Sequence, residues 1–161
     1  MATLRLQISV GTLIWTAQGD VLESIHLDVG PRPMTPGVVP HSGVLKEAHR
    51  QWHRYLEAPS HAFDLPLKSP GSPFQQRVFS ALREIPPGTV WTYGELARVV
   101  GSAPRAVARG LRCNPYPVIV PCHRVVAQGH LGGYCGHVVG PMMTIKRWLL
   151  WHEGVPGILP E

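Results

Sequence analysis

Cys122, His123 and Arg124 stand side by side in the run Ile119-Val120-Pro121-Cys122-His123-Arg124-Val125-Val126. A thiol becomes a nucleophile when a neighbouring base or positive charge stabilises its thiolate, and imidazole and guanidinium are side chains that can do so. The apolar residues on both sides argue that the triplet is not on a floppy surface loop. On this run alone two readings stand level: a nucleophile with its base, or a small buried thiol beside a satisfied core histidine. Glu153, just past the last helical stretch, is a candidate third member that would orient His123 and stabilise its positive form. By spacing alone it could equally be an exposed helix-end carboxylate. A second chemical signal is basic. Arg105, Arg109 and Arg112 recur at i, i+4 and i+7 and so share one helical face, with small Ala106, Ala108 and Gly110 between them. Such a stripe can approach a phosphate backbone or a narrow groove closely. A solvated helix face is the plainer reading of a charge run, but the pattern that precedes this helix favours nucleic acid.

These groups need elements to position them. Ser72-Pro73-Phe74-Gln75 is a capping box with proline at the first helical position, and Phe74, Val78, Phe79 and Leu82 make the buried stripe of the helix it opens. Thr92-Tyr93-Gly94-Glu95 reads as a second capping box, starting a short helix through Val100. Gly101-Ser102-Ala103 breaks it and Pro104 opens another through Arg112; two short helices about a glycine turn are a helix-turn-helix pattern. Asn114-Pro115 stops that helix and leads into the Cys122 run. A glycine-rich loop, 129–136, holds Tyr134 and Cys135, and a last helix from about Met142 to His152 buries Ile145, Trp148 and Leu149. Gly154 is a natural cap at its end.

The first half reads differently. Leu4, Leu6, Ile8 and Val10 alternate as in a half-buried strand; Leu13-Ile14-Trp15 and 22–27 are two more, with turn residues between. Residues 29–43 form a loop rich in proline and glycine. Leu45, Ala48, Trp52, Tyr55 and Leu56 recur at helical spacing over 44–57, and 63–67 is a further strand or an extended connector. His26, His41, His49, His53 and His61 fall here without a familiar ligand spacing, so surface or structural histidines are the favoured reading and a metal site the minor alternative.

The chain has 161 residues, room for one domain or two very small ones, and is 44% hydrophobic with 16% charged side chains. That composition supports a packed core and argues against disorder. A net charge of +5 suits a polyanionic partner without demanding one. Three cysteines, Cys113, Cys122 and Cys135, are not a disulfide framework and point to a reducing compartment. There is no secretory segment at the start and no apolar run of transmembrane length, so a soluble intracellular protein is expected.

Taken together, the motifs resemble the O6-alkylguanine-DNA alkyltransferases, the direct-reversal DNA repair family. Pro121-Cys122-His123-Arg124-Val125 matches that family's active-site motif without a change. Thr92-Tyr93-Gly94-Glu95-Leu96-Ala97, Pro104-Arg105-Ala106-Val107, Arg112-Cys113-Asn114-Pro115, Gly133-Tyr134 and Trp148-Leu149-Leu150 with His152-Glu153-Gly154 are similar to family segments and follow the family order. The resemblance spans about Pro73 to Gly154 and, more loosely, the first half. It implies an α+β fold: residues 1–68 as a small domain with a three-stranded antiparallel sheet and a helix (ribonuclease H-like), and residues 69–161 as a mostly helical DNA-binding and alkyl-transfer domain with the helix-turn-helix. It implies that Cys122 takes the alkyl group, that His123 acts as base through a water, and that Glu153 stands behind it. Tyr93 would help rotate the nucleotide out and protonate the base, and Arg105 would fill the gap. Asn114 would brace the turn, and Ala106, Arg109 and Arg112 would meet the DNA. Backbone at Cys122, Val125, Tyr134 and Cys135 would hold the guanine. The partner would be double-stranded DNA carrying O6-alkylguanine, with O4-alkylthymine an open second substrate, and no membrane. The protein would be a cytoplasmic monomer, with cooperative binding on DNA left open. No cofactor is implied, because the nucleophile is the final acceptor.

Some residues depart from the family pattern. Cys135 stands where many members have serine, Cys113 replaces a common glycine, and the stretch from Gly136 to Lys146, with Val138-Val139-Gly140-Pro141, is longer than usual. Three other readings compete. A lesion-binding protein without transfer activity would lack the cysteine. A plain helix-turn-helix regulator leaves Pro121 to Arg124 and Tyr93 unexplained. A Cys-His hydrolase gives the basic helix no role.

Overall fold

The computed structural model describes residues 2–30, 43–68, 71–136 and 140–159. The fold is α+β, with a three-stranded antiparallel sheet and five α-helices among the described residues. The chain divides into two compact units, Met1–Ser69 and Pro70–Glu161.

In the first unit β1 (Ala2–Ile8) pairs with β2 (Gly11–Gln18), and β2 with β3 (Val21–Asp28). Alternation sends Leu4, Leu6, Ile8, Leu13, Trp15 and Leu27 to the buried face. Val10 is not part of β1, because the chain turns at Ser9-Val10 to bring Ile8 opposite Gly11. Helix α1 (Gly43–Glu57) packs its Leu45, Ala48, Trp52 and Tyr55 against this face, with the Trp15 and Trp52 rings edge to face at 6.3 Å. The 63–67 stretch is an extended connector. Gln51 pins it by bonding both the carbonyl and the N–H of Asp64, at 2.9 and 2.8 Å. Leu22 and Leu67 form one isolated bridge at its end. His41 and most of the loop expected over 29–43 lie outside the described residues.

In the second unit α2 (Pro73–Arg83) begins with the reciprocal Ser72–Gln75 capping box. Helix α3 (Tyr93–Val100) begins with half of one: Thr92 Oγ1 accepts from Glu95 N at 3.1 Å, without the reciprocal bond from Glu95. Gly101 takes a left-handed φ of 71°, which a side chain would resist, and Ser102 N then reaches back to Ala97 O at 2.9 Å. That reversal sets α4 (Pro104–Arg112) against α3. Two short strands, β4 (Trp91–Thr92) and β5 (Val125–Val126), pair in parallel. Helix α5 (Pro141–His152) closes the unit over a core that includes Val78, Leu82, Leu96, Val107, Val125 and Leu149. None of the described helices is long and apolar enough to cross a membrane.

Candidate active site

Asn114 follows α4 and organises the approach to the thiol. Its Oδ1 accepts from Tyr116 N at 2.9 Å, and its Nδ2 donates to Val120 O at 2.9 Å, closing the turn between them. The same side chain also helps to hold the Cys122 thiol pKa down. Pro121, at φ −78° and ψ 65°, forms an inverse γ-turn closed by Cys122 N donating to Val120 O at 2.7 Å. A single 3₁₀ turn, Cys122–Arg124, then leads into β5. Consecutive side chains of a 3₁₀ turn point in different directions, so the three neighbours in sequence have three different environments.

Cys122 is 5% exposed and lies in the wall of a cavity of about 200 Å³. Its thiol is held below the ordinary value. A hydrogen bond from Cys135 does most of this, with help from Asn114 and the Lys146 charge, and together they overcome burial, which works the other way. The Cys135 thiol, sharing that bond, is pushed far up.

His123 is fully buried, and its Nε2 lies 2.8 Å from Glu153 Oε2. Burial lowers its pKa against the opposing pull of Glu153, so the ring is neutral. A neutral ring facing a carboxylate donates through Nε2, which leaves Nδ1 with its lone pair; this buried atom has no hydrogen-bond partner among the described residues. Glu153 is placed by the end of α5. Gly154 turns left-handed at φ 83°, Gly154 N bonds Trp151 O, and Val155 N bonds Leu150 O, both at 3.0 Å. This Schellman closure directs the residue before the glycine inward. Burial alone would favour protonated Glu153, but His123 and Arg124 hold the carboxyl well below its usual range.

Arg124 does not serve the thiol. Its Nε and Nη2 fork onto Glu153 at 2.8 and 2.9 Å, and its Nη1 donates to Ile85 O at 2.7 Å. The sequence reading that gave it a share in stabilising the thiolate is therefore corrected. Its charge is spent on keeping Glu153 ionised in the core.

Lys146, on α5, was missed by sequence reasoning. It is fully buried, and its Nζ donates to the carbonyls of Val125, Leu131 and Gly133 at 2.7, 2.6 and 2.8 Å. Burial pulls its pKa down to about 8. Three acceptors use three protons, so the ammonium is the form that fits. It ties β5 to both sides of the glycine-rich loop. The only signal in the sequence was a lysine between buried positions, Ile145 and Leu149, on a helix with an apolar inner face.

The cavity is also lined by Tyr93, Arg112, Tyr134 and Cys135. Tyr93 Oη accepts from Gly133 N at 3.3 Å, and burial keeps its phenol protonated. Gly132, at φ 72°, packs so closely that a Cβ there would come within 3.0 Å of the Tyr93 ring and hydroxyl. On α4, Arg105, Arg109 and Arg112 are exposed, whereas Val107, Gly110 and Leu111 face inward.

A family profile described as 6-O-methylguanine DNA methyltransferase, DNA binding domain, matches residues 73–155. The methylated-DNA–protein-cysteine methyltransferase of Mycobacterium leprae is 40% identical over 131 residues, 79% of this chain and 79% of the relative. The chain belongs to the 6-O-methylguanine DNA methyltransferase family. A relative of the same name from Thermococcus sibiricus is 45% identical over 85 residues, covering 52% of this chain and 46% of its own. The chain thus spans about half the length of that relative and of its Thermococcus barophilus counterpart. Among solved structures, Mycobacterium tuberculosis OGT in complex with DNA is similar with a TM-score of 0.72 at 32% identity, over 94% of this chain and 93% of that one.

In this member of the 6-O-methylguanine DNA methyltransferase family, the expected site residues do not all share one cavity. Cys122, Tyr93, Arg112, Tyr134 and Cys135 border the cavity, and His123, the next residue after Cys122, forms a buried pair with Glu153. Asn114 braces the turn before Cys122 and favours its thiolate. Arg105, Ala106 and Arg109 do not line the cavity and lie along α4. Val125 is buried, and its carbonyl, expected to face guanine, accepts from Lys146. Val138 and Val139 of the longer loop lie outside the described residues. No group of three or more His, Cys, Asp or Glu among the described residues is placed to hold a metal ion. The His49 and His53 Nε2 atoms meet as a pair at 3.2 Å.

Proposed function

We propose that this chain repairs alkylated DNA by direct reversal, drawing an O6-alkylguanine out of the duplex and moving its alkyl group irreversibly to Cys122. The observation that carries this reading is the Cys122 sulfur, held toward thiolate in a cavity wall, with the neutral, Glu153-bonded His123 beside it. An alkyl carbon on O6 is out of reach inside the base stack, so the nucleotide must leave it, at a cost of a few kcal/mol.

In the transfer step the sulfur attacks the alkyl carbon in line with O6. The S–C bond forms as the C–O6 bond breaks. The thiol proton passes through one water to His123 Nδ1, and Glu153 stabilises the imidazolium. Tyr93 supplies a proton to the departing guanine and regains one from solvent, to which His123 releases the thiol proton; its oxygen already accepts from Gly133, so its own hydrogen is available to give. Asn114 supports the thiolate and braces the turn. Arg105, long and cationic near the start of α4, takes the space left in the stack. Ala106, Arg109 and Arg112 face the DNA, and Val125, Tyr134 and Cys135 border the base. The thioether product is stable, so each molecule acts once.

In this reading α3 and α4 are a helix-turn-helix with α4 as recognition helix. The first unit is a ribonuclease H-like N-terminal domain over 1–68, and 69–161 is the DNA-binding and alkyl-transfer domain. The protein works in the cytoplasm, as a monomer on double-stranded DNA, and O4-alkylthymine is a second substrate to be tested. The decisive experiment incubates the protein with a duplex carrying one O6-methylguanine, measures intact mass and maps the modified residue. One methyl on Cys122 is expected. Tight lesion binding with no added mass would overturn the transfer reading. Cys122→Ala is expected to bind the duplex and transfer nothing.

A further inference from the structure

The proposed reaction uses one thiol, yet two border the cavity. Cys135 is half-buried, between Tyr134 and Gly136, and its φ of 50° is unusual for a residue other than glycine. Its thiol borders the same cavity as the Cys122 sulfur, and each thiol shifts the ionisation of the other. The loop that carries it is tied down by Lys146 at Leu131 and Gly133, two residues before Cys135. Gly132 and Gly136, at φ 72° and 84°, flank it with backbone that can adjust. Both cysteines line the cavity of about 200 Å³, a volume large enough for a small oxidant. Cys113 is exposed, at the end of α4, and does not line the cavity.

We propose that Cys122 and Cys135 form a reversible intramolecular disulfide when the protein meets a hydroperoxide, and that this bond withholds the acceptor thiol until a dithiol reductant restores it. The Cys122 thiolate attacks one peroxide oxygen; an S–O bond forms, the O–O bond breaks, and the leaving oxygen departs protonated as water or an alcohol. Cys135 sulfur then attacks the sulfenic Cys122 sulfur. The S–S bond forms, the S–O bond breaks, and the hydroxide leaves as water with the Cys135 proton. Two thiols are oxidised by two electrons and one peroxide is reduced. The two thiols differ in the way this sequence needs: Cys122 is pulled toward thiolate and Cys135 keeps its proton. Capture by Cys135 also protects Cys122 from irreversible sulfinic acid.

The bond itself does not depend on the alkyl-transfer reading; only its consequence for repair does. The test treats the full chain with hydrogen peroxide, blocks free thiols, and maps peptides without reduction. Loss of two hydrogen atoms and a Cys122–Cys135 linked peptide are expected, both reversed by dithiothreitol. In Cys135→Ser, peroxide should instead leave Cys122 as sulfinic or sulfonic acid that dithiothreitol does not recover. Methyl transfer, scored against each protein's own untreated level, should fall and recover in the parent and fall without recovery in Cys135→Ser. Equal recovery of Cys122 in both proteins, or Cys122 overoxidised in the parent with no linked peptide, would overturn the proposal. A linked peptide in a protein that transfers no methyl when reduced would retain the disulfide and remove the proposed function.

Discussion

Lys146 shows how one buried side chain can serve both stability and chemistry. Its ammonium satisfies the carbonyls of Val125, Leu131 and Gly133 and adds a positive charge that favours the Cys122 thiolate. Lys146→Met keeps the length and removes the donors. Each stranded acceptor then costs roughly 1–3 kcal/mol, so a lower urea midpoint is expected. The pH profile of Cys122 alkylation by iodoacetamide should also move to higher pH, which lost packing alone would not do. An unchanged profile would confine Lys146 to a structural role. The contrast with Cys122 and His123 shows what was legible at this scale. A thiol beside an imidazole announces itself by residue type. A lysine whose partners are three backbone carbonyls from a distant loop leaves no local trace, and neither does the turning of Arg124 away from the thiol toward Glu153.

At the scale of elements, local devices were the readable ones. The Ser72–Gln75 box lies within four residues and formed as written, and the glycine caps at Gly101 and Gly154 set α4 and Glu153. What escaped was non-local: the parallel pairing of Trp91-Thr92 with Val125-Val126 joins stretches far apart in the chain and too short to carry a pattern. The exposed arginines of α4 support a separate prediction. Arg109→Ala, if it removes a phosphate contact, should weaken binding to all duplex sequences alike and lower the slope of log affinity against log salt by about one. Arg105→Ala should do more. It should slow repair of a lesion in fully paired duplex while sparing a lesion in single-stranded DNA, where no stack needs filling. Titrations at several salt concentrations, with single-turnover repair on both substrates, check this; equal slowing on both would remove Arg105 from the gap.

At the scale of the whole chain, charge is unevenly divided. The first unit's basic and acidic side chains balance, so the whole formal charge of +5 falls in the second, the unit with the cavity and α4. That favours a polyanion on the second unit. The same unit buries a neutral His123 and an ionised Glu153, and both have pKa values below their unfolded ones. The unfolded chain therefore takes up these protons first on acidification. The stability they contribute is complete above pH 6.5, begins to fall as His123 of the unfolded chain protonates, and falls further below pH 4.5 as Glu153 follows. Urea midpoints of the full chain should decline over that range. Glu153→Gln, which cannot titrate, should flatten the limb below pH 4.5, while removing the carboxylate leaves Arg124 buried without its counter-ion at a cost of about 3–5 kcal/mol. Methyl transfer should fall only when folded His123 protonates, below pH 6.5, so repair should persist at pH values where stability is already declining. Parallel loss of both from pH 6.5 downward would mean that His123 titrates as in the unfolded chain, and that the buried pair does not hold it neutral.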